Sequence, residues 1–440
     1  MNKKTIAIIR ARALSLLIIG LLTGFTMCAK ESGNNEEGSS VTPPGPDPDP
    51  EITYIDTLTP SVPMKRGGLY TEEDFKRVRQ KISAGEEPWL SGWNKLTSNP
   101  RAQATWKANP VVKLIRGGNS REEPEPDNYS RAMNDAAAAY QLALRWRISG
   151  DDSFAQAGIN ILNSWASTCE RISGNSNTAL AAGIYGYQFA IAAELLRDYA
   201  GWAVKDLESY KQWMIDVFYN LNMDFLKSHW GTCDSHYWAN WDLCNLASVI
   251  AISVLTDNRS MYNYAVNYLQ KGNGNGNFFK AINHVFKDEN AGLAQLQESG
   301  RDQGHSLMVI GLLGTICKLT WNQGDDFYGL DNNRVLKATE YTAKYNVAQL
   351  DVPFEAYTRY YAVNCAQSET HTAISSSGRG GVRPIWTAAY YHYTKVKKLA
   401  ATYTAMGVQQ TQPEGGGGDY GSNSGGYDHL GFGTLMFALD

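Results

Sequence analysis

The hydrophobic positions of this chain recur at helical spacing over long stretches, and strand-like alternation is scarce before residue 350. Thr71-Glu-Glu-Asp74 has the form of a capping box, with Phe75, Val78 and Ile82 following on one face. Ser130 to Ile148, with four alanines at 136–139, is a helix that stops at Gly150-Asp-Asp. Further helices are expected over roughly 153–167, 179–198, 203–227, 239–256, 258–270, 305–320, 332–347 and 382–397, separated by Gly, Asn and Asp clusters. Many helices joined by short loops predict an all-α fold of antiparallel helix hairpins, stacked as a toroid or solenoid. No strict sequence period points to a regular repeat array.

The segment Leu307 to Leu319 is apolar on all sides and predicts a buried helix. At its head stands Glu298-Ser-Gly-Arg301-Asp302-Gln303-Gly-His305. Two acids, an arginine, an amide and a histidine at the mouth of a buried element break the local rule, as expected mainly at functional sites. One helical turn separates Arg301 from His305, so both side chains are expected to face one cavity. The glycine-dense stretch from Glu414 to His429 carries Tyr420 and Tyr427, and apolar sequence resumes at Leu430. Such a stretch reads as an ordered loop anchored at both ends, able to close over a ligand.

The ends and the charge bound the setting. Lys3, Lys4, Arg10 and Arg12 precede an apolar run, Ala13 to Phe25, that is short for a membrane span, and Cys28 follows. This pattern resembles a bacterial lipoprotein signal in which Cys28 is acylated. The expectation is therefore an exported protein, in the periplasm or on the outer membrane or cell surface, that touches membrane only through a lipid anchor. Residues 29–52 are polar and then Pro-rich, a tether that cannot bury a core, and residues 53–440 are expected to form a single domain. Loss of the four basic residues of 1–28 takes the net charge from −4 to −8. That balance excludes nucleic-acid binding through bulk charge, so an anionic ligand needs a local basic pocket. After Cys28 five cysteines remain, too sparse for a disulfide framework; Cys233 and Cys244 are a possible pair, and buried free thiols the alternative. Neither a CxxC pair nor HExxH occurs, so spacing implies no metal and no cofactor. Twelve Trp and 25 Tyr suit both core and sugar rings.

Several ordered motifs carry a resemblance. They are Asn134-Asp135 with Leu144-Arg-Trp146, Ile161-Leu-Asn-Ser-Trp165, Ala192-Ala-Glu194-Leu-Leu-Arg197, Asn240-Trp241, Glu298 to His305, Trp321-Asn-Gln-Gly324 and Arg383-Pro-Ile-Trp386. Together they resemble the alginate-lyase-type domain of helical-barrel polysaccharide lyases, over roughly residues 65–440. The resemblance implies an (α/α) barrel or toroid, an acidic polysaccharide such as alginate or a related polyuronate, and β-elimination. That chemistry needs the uronate carboxylate neutralised, the C5 proton removed by a base, and the departing O4 protonated by an acid. Asn240 matches the family asparagine that faces the carboxylate, but Trp241 stands where a histidine often follows. His305 is then the expected base, Arg301 and Asn240 the carboxylate groups, and Tyr427 or Tyr420 the acid, with Tyr357, Tyr360 and Tyr361 as alternatives. Trp241, Trp238, His236, Tyr237, Gln303, Glu298, Arg379 and Arg383 are candidate substrate contacts, His371 a further one.

Two other classes stay open on the residues alone. A helical-barrel glycoside hydrolase needs two opposed carboxylates, which Glu298, Asp302, Asp419 or Asp428 could supply. A non-catalytic glycan-binding lipoprotein is compatible with the tether and the aromatic content.

Overall fold

The computed structural model describes residues 53–440. Cys28 and the tether of residues 29–52 lie outside the described residues. The helices are α1 (Glu72–Ser83), α2 (Trp89–Thr97), α3 (Ser130–Ser149), α4 (Asp152–Thr168), α5 (Thr178–Leu196), α6 (Val204–Trp213), α7 (Asn220–Ser228), α8 (Ala239–Leu255), α9 (Arg259–Lys271), α10 (Phe278–Ala281), α11 (Gln303–Gln323), α12 (Leu330–Asn346), α13 (Thr387–Tyr391), α14 (Thr402–Thr411), α15 (Ser424–Tyr427) and α16 (Gly433–Met436). Three two-stranded ladders accompany them: β1 (Lys113–Ile115) with β2 (Arg171–Ser173), β3 (His284–Val285) with β4 (Ala294–Gln295), and β5 (Tyr357–Tyr361) with β6 (Gln367–His371).

Burial separates the helices into two layers. Along α5 and α8 nearly every residue is buried, and α11 is buried over most of its length. Around them, α4, α6 and α9 each bury one face only. An all-apolar helix has nowhere to go but inside, and an amphipathic one covers it. The inner helices pack in sequence, α3 on α5, α5 on α8 and α8 on α11, and the ring continues through α13, α16 and the α1–α2 pair back to α3. This is an (α/α) toroid. Gly183 and Gly186 set the spacing of its tightest pair: a Cβ at either would lie 2.4 Å from Cys244 Sγ or 2.3 Å from Ser248 Oγ on α8.

Local signals explain most boundaries. Thr71 and Asp74 form the reciprocal capping box that starts α1, and Gly150, at φ 73°, ends α3 in the left-handed conformation. The 203–227 segment is two helices, α6 and α7, joined by a π-helical segment, Met214–Tyr219. The 382–397 segment is shorter than its pattern suggests: α13 begins only at Thr387 and runs into a π turn, His392–Val396. The glycine-rich stretch is an ordered loop, pinned by a bridge between Gly416 and Gly431. Cys233 does not pair with Cys244. It is bonded to Cys365, while Cys244 is a buried free thiol between α5 and α8.

Candidate active site

The N-terminal ends of α5, α8 and α11 meet at one end of the ring, around a cavity of about 400 Å³. Leu180 and Ile184 of α5, Asn240 and Trp241 of α8, and His305 and Met308 of α11 line it from the helices. Arg116, just after β1, Arg383, just before α13, and Asn423, Ser424, Gly425 and Asp428 of the C-terminal loop complete the wall. Helix N-termini carry partial positive charge, and three point here together with two arginines. The chain as a whole is net acidic, so this cavity supplies the local basic pocket that an anionic ligand requires.

Asp302 builds the histidine side of the site. It is the N-cap of α11: its Oδ1 accepts from the His305 backbone N–H at 2.8 Å, and its Oδ2 lies 2.6 Å from His305 Nδ1. One carboxylate therefore both starts the helix and holds the imidazole, which places the second ring nitrogen, Nε2, as the free one. Burial works against the charge of Asp302, but its hydrogen bonds with His305 and the nearby Arg301 outweigh it and hold the carboxyl below its ordinary range. The His305 side chain is 41% exposed, enough to meet a ligand.

Arg301 takes a different position from the one its spacing predicts. The helix begins at Gln303, so Arg301 precedes it and the one-turn relation to His305 does not apply. Its Nη1 donates to Glu298 Oε2 at 3.2 Å, its guanidinium lies 5.1 Å from the Trp238 ring, and it does not line the cavity. Glu298 is fully buried behind Asn240; burial pushes its carboxyl up, and Arg301 works in the opposite direction. Asn240 lines the cavity, but its Nδ2 donates to Glu298 Oε1 and to the His305 carbonyl, both at 2.9 Å. With acceptors on both sides of Nδ2 the amide orientation is set, and the remaining atom, Oδ1, is a buried acceptor without a partner. Asn240 therefore braces the first turn of α11 and has no free donor for a carboxylate.

The cavity's own cations are Arg383 and Arg116. Arg383 Nη1 donates to Asp428 Oδ2 at 2.9 Å. Arg116 donates to Tyr185 Oη and Ser424 Oγ, both at 3.3 Å, and stacks near Tyr129. Burial works against the charge on Arg116, and Tyr185 and Asp428 more than offset it. Arg383 is among the residues singled out from sequence; Arg116, Asn423 and Ser424 are not. The signal for Arg116 was faint: one arginine before Gly117-Gly118, at the end of a strand too short to detect by alternation.

Neither candidate tyrosine reaches the cavity. Tyr427 is buried, and its hydroxyl is held by Arg101 and by Asn134 Oδ1. Tyr420 Oη accepts from the Gly415 backbone N–H at 2.9 Å, so it braces its own loop. Gln303 is buried and bonded to Ser375 and Asn346. Arg379 donates to the Tyr345 carbonyl and lies 3.8 Å from that residue's ring. His236 Nδ1 accepts from the Ala362 backbone N–H at 2.8 Å, tying the loop before α8 to the β5–β6 hairpin. Burial and Arg359 both lower its pKa. Trp238 lies between Arg301 and Arg359, and Tyr237 packs 4.6 Å from Trp241, which is the aromatic ring that lines the cavity. His371 and Tyr357 stack on each other under Gly300.

The carboxylates weighed for hydrolysis do not form an opposed pair. Asp428 lines the cavity and is ion-paired, Asp302 is bound to His305, Glu298 is enclosed, and Asp419 is held by Asn99. Among the described residues no cluster of His, Cys, Asp and Glu could hold a metal ion.

No curated protein is significantly similar to the chain. In fold it is similar to an alginate lyase from Bacteroides ovatus, at 13% identity and a TM-score of 0.53, covering 85% of this chain and 99% of that one. It is also similar to alginate lyase A1-III from Sphingomonas species A1, at 13% identity and a TM-score of 0.58, covering 86% and 98% of the two chains. The family model described as alginate lyase matches residues 84–351, a span that runs from just after α1 to past α12 and includes Arg116, Asn240 and His305. The chain belongs to the alginate lyase family and is a polysaccharide lyase built on an (α/α) toroid.

Proposed function

We propose that this enzyme cleaves a uronate-containing polysaccharide, alginate or a related polyuronate, by β-elimination in the cavity at the head of α5, α8 and α11. The observation that carries this reading is the imidazole of His305, held through Nδ1 by Asp302 and lining a cavity with Arg383 and Arg116. In the reaction, a uronate carboxylate binds the two guanidiniums, which neutralise it and stabilise the enolate that develops. His305 Nε2 takes the C5 proton, the electron pair forms the C4=C5 bond, and the C4–O4 bond breaks. Asp302 stabilises the imidazolium that forms, as a carboxylate does for a base histidine elsewhere. Trp241 offers an apolar face for a sugar ring.

The protein is proposed to work outside the cytoplasm, anchored by a lipid on Cys28. Fatty-acid labelling that is lost in Cys28→Ala supports the anchor; unlabelled mature protein contradicts it. The activity is tested by incubating purified protein with alginate and with glucuronan and following the ultraviolet absorbance of the unsaturated uronate. The expected result is a rising signal on at least one polymer. Folded protein that binds polymer without shortening it, or that releases reducing ends without the signal, contradicts the reading.

A further inference from the structure

A second, smaller cavity lies behind the catalytic one, and the same three segments wall both. On α11 the lining passes from His305 to Gly311 and Thr315, at α13 from Arg383 to Thr387, and in the C-terminal loop from Asp428 to His429. The inner cavity encloses about 30 Å³, room for about one or two waters. Its wall includes the side chains of Thr315, Thr387, Glu414 and His429. Thr315 Oγ1 donates to the Gly311 carbonyl and Thr387 Oγ1 to Glu414 Oε2, both at 3.1 Å, which leaves oxygen lone pairs free to accept. His429 is 5% exposed, and among the described residues neither of its ring nitrogens has a hydrogen-bond partner. Burial and Arg383 both hold this imidazole neutral. A neutral ring has one N–H to donate and one lone pair to fill, and buried polar groups in folded proteins find a protein or water partner. A cation meets the lone pair alone and an anion the N–H alone, whereas water meets either and fits the volume.

The surroundings of His429 connect it to the catalytic cavity. A Cβ at Gly311 would lie 2.2 Å from His429 Cε1, so the imidazole packs directly on the α11 backbone at a glycine. The two residues before it are tied to α5: Gln188 Nε2 donates to the Tyr427 carbonyl at 2.7 Å, and the Tyr187 hydroxyl donates to the Asp428 carbonyl. Asp428 thus stands between an anchor on α5 and one on α11, and its carboxylate accepts from Arg383 Nη1 at 2.9 Å. We propose that the inner cavity binds water that bridges the His429 imidazole to the hydroxyls and carboxyl of its wall, and that His429, held in this way, is a positioning residue for the Asp428–Arg383 pair. The imidazole stays neutral and touches no substrate; it fixes the loop from which Asp428 holds Arg383. The catalytic consequence rests on the proposed elimination, and the water site does not.

The test compares wild type with His429→Leu, which fills much of the ring's space without its nitrogens, and with His429→Gln, which keeps a donor and an acceptor. High-resolution crystal structures should show ordered water within hydrogen-bond distance of a His429 ring nitrogen in wild type. The Arg383–Asp428 contact should be lost in His429→Leu and kept in His429→Gln. Thermal melts supply a sign: loss of a water-bridged imidazole lowers the melting temperature, by about 1–3 °C, whereas loss of an unpaired one from a dry cavity raises it. On the polymer cleaved fastest, fully folded His429→Leu should lose about 10-fold in kcat/KM, and the same change should cost nothing further in an Arg383→Ala background. A purely structural role would lower the melting temperature and leave that coupling at zero. A dry inner cavity in wild type, or His429→Leu melting above wild type, overturns the water site. An unchanged kcat/KM in His429→Leu, or an equal loss in the Arg383→Ala background, overturns the positioning role. If His429→Leu does not fold, the wild-type crystal decides the water, and His429→Asn, whose shorter side chain draws back from the cavity, takes its place in the cycle. Silence of the folded wild type on every polyuronate overturns the elimination, while the crystals and melts still decide the water site and the ion pair.

Discussion

The residue with the most work assigned to it is Asp302, because it is bonded both to the backbone and to the side chain of His305. These two functions can be separated. Asn is as good an N-cap as Asp but cannot hold the imidazole through a charge. Asp302→Asn should cost under about 1 kcal/mol of stability and lower kcat/KM by on the order of 10²–10⁴-fold, read by urea unfolding and steady-state kinetics. The two arginines should also separate. Arg383→Ala should lower kcat/KM by roughly 10–100-fold, the worth of a charged hydrogen bond. Arg301→Ala should act mainly on stability, by about 1–3 kcal/mol, because it deprives the enclosed Glu298 of its cation. A further titration lies inside the molecule. Burial pushes the Glu414 carboxyl up to about 7, against the Gly433 N–H and Thr387 hydroxyl that favour its charge. The folded state therefore holds this proton more tightly than the unfolded chain, so stability falls as pH rises from about 4.5 to about 7 and then levels off. Glu414→Gln should remove that slope and gain at most on the order of 3 kcal/mol at pH 8 in thermal melts. At this scale the sequence was half legible. His305 stood out as a polar residue at the mouth of an apolar run. Arg301 stood out equally and is turned away, because only the cap geometry shows that the helix starts after it.

At the scale of elements, the long inner helices were legible because apolarity on all sides leaves an element no surface to occupy but the inside. The β5–β6 hairpin was not: its residues alternate between half-buried and exposed and carry no apolar stripe. Yet this hairpin holds the approach to α8. Cys365 just outside β5 is bonded to Cys233, His236 accepts from Ala362, and Arg359 lies 4.3 Å from the Trp238 ring. The bond closes a loop of 132 residues. Cys233→Ser combined with Cys365→Ser should lower the unfolding free energy by about 2–5 kcal/mol and raise KM more than it lowers kcat. Urea titration and kinetics on the same preparation measure both. The family motifs also find their reasons at this scale. Asp135 accepts from the indoles of Trp106 and Trp165, and Asn134 holds Tyr427, so this motif ties helices and the C-terminal loop together and does not line the cavity. Of the other residues that line the cavity, Arg116 and Asn423 come from short loops, and Ser424 and Gly425 from the four-residue α15, with no pattern to read.

For the whole molecule, the helix count predicts an all-α fold but leaves a closed ring and an open solenoid equally open. Closure depends on α16 packing against α1, α2 and α13, contacts between the two ends of the domain that no local pattern encodes. The ring brings the N-termini of three inner helices to one mouth, and two arginines make that mouth basic on a net-acidic chain. Capture of a polyanion by such a patch is screened by salt. KM should therefore rise several-fold between roughly 50 and 500 mM salt while kcat changes little, which initial rates at a series of salt concentrations will show. The claim on which the rest depends is that His305 opens a uronate by elimination. The most direct measurement follows unsaturated product and new reducing ends together, on the polymer cleaved fastest, for wild type and for His305→Ala. The two signals should rise in step for wild type, and both should fall by on the order of 10²-fold or more in the variant. Reducing ends without the C4=C5 signal, or a folded His305→Ala as active as wild type, would contradict it.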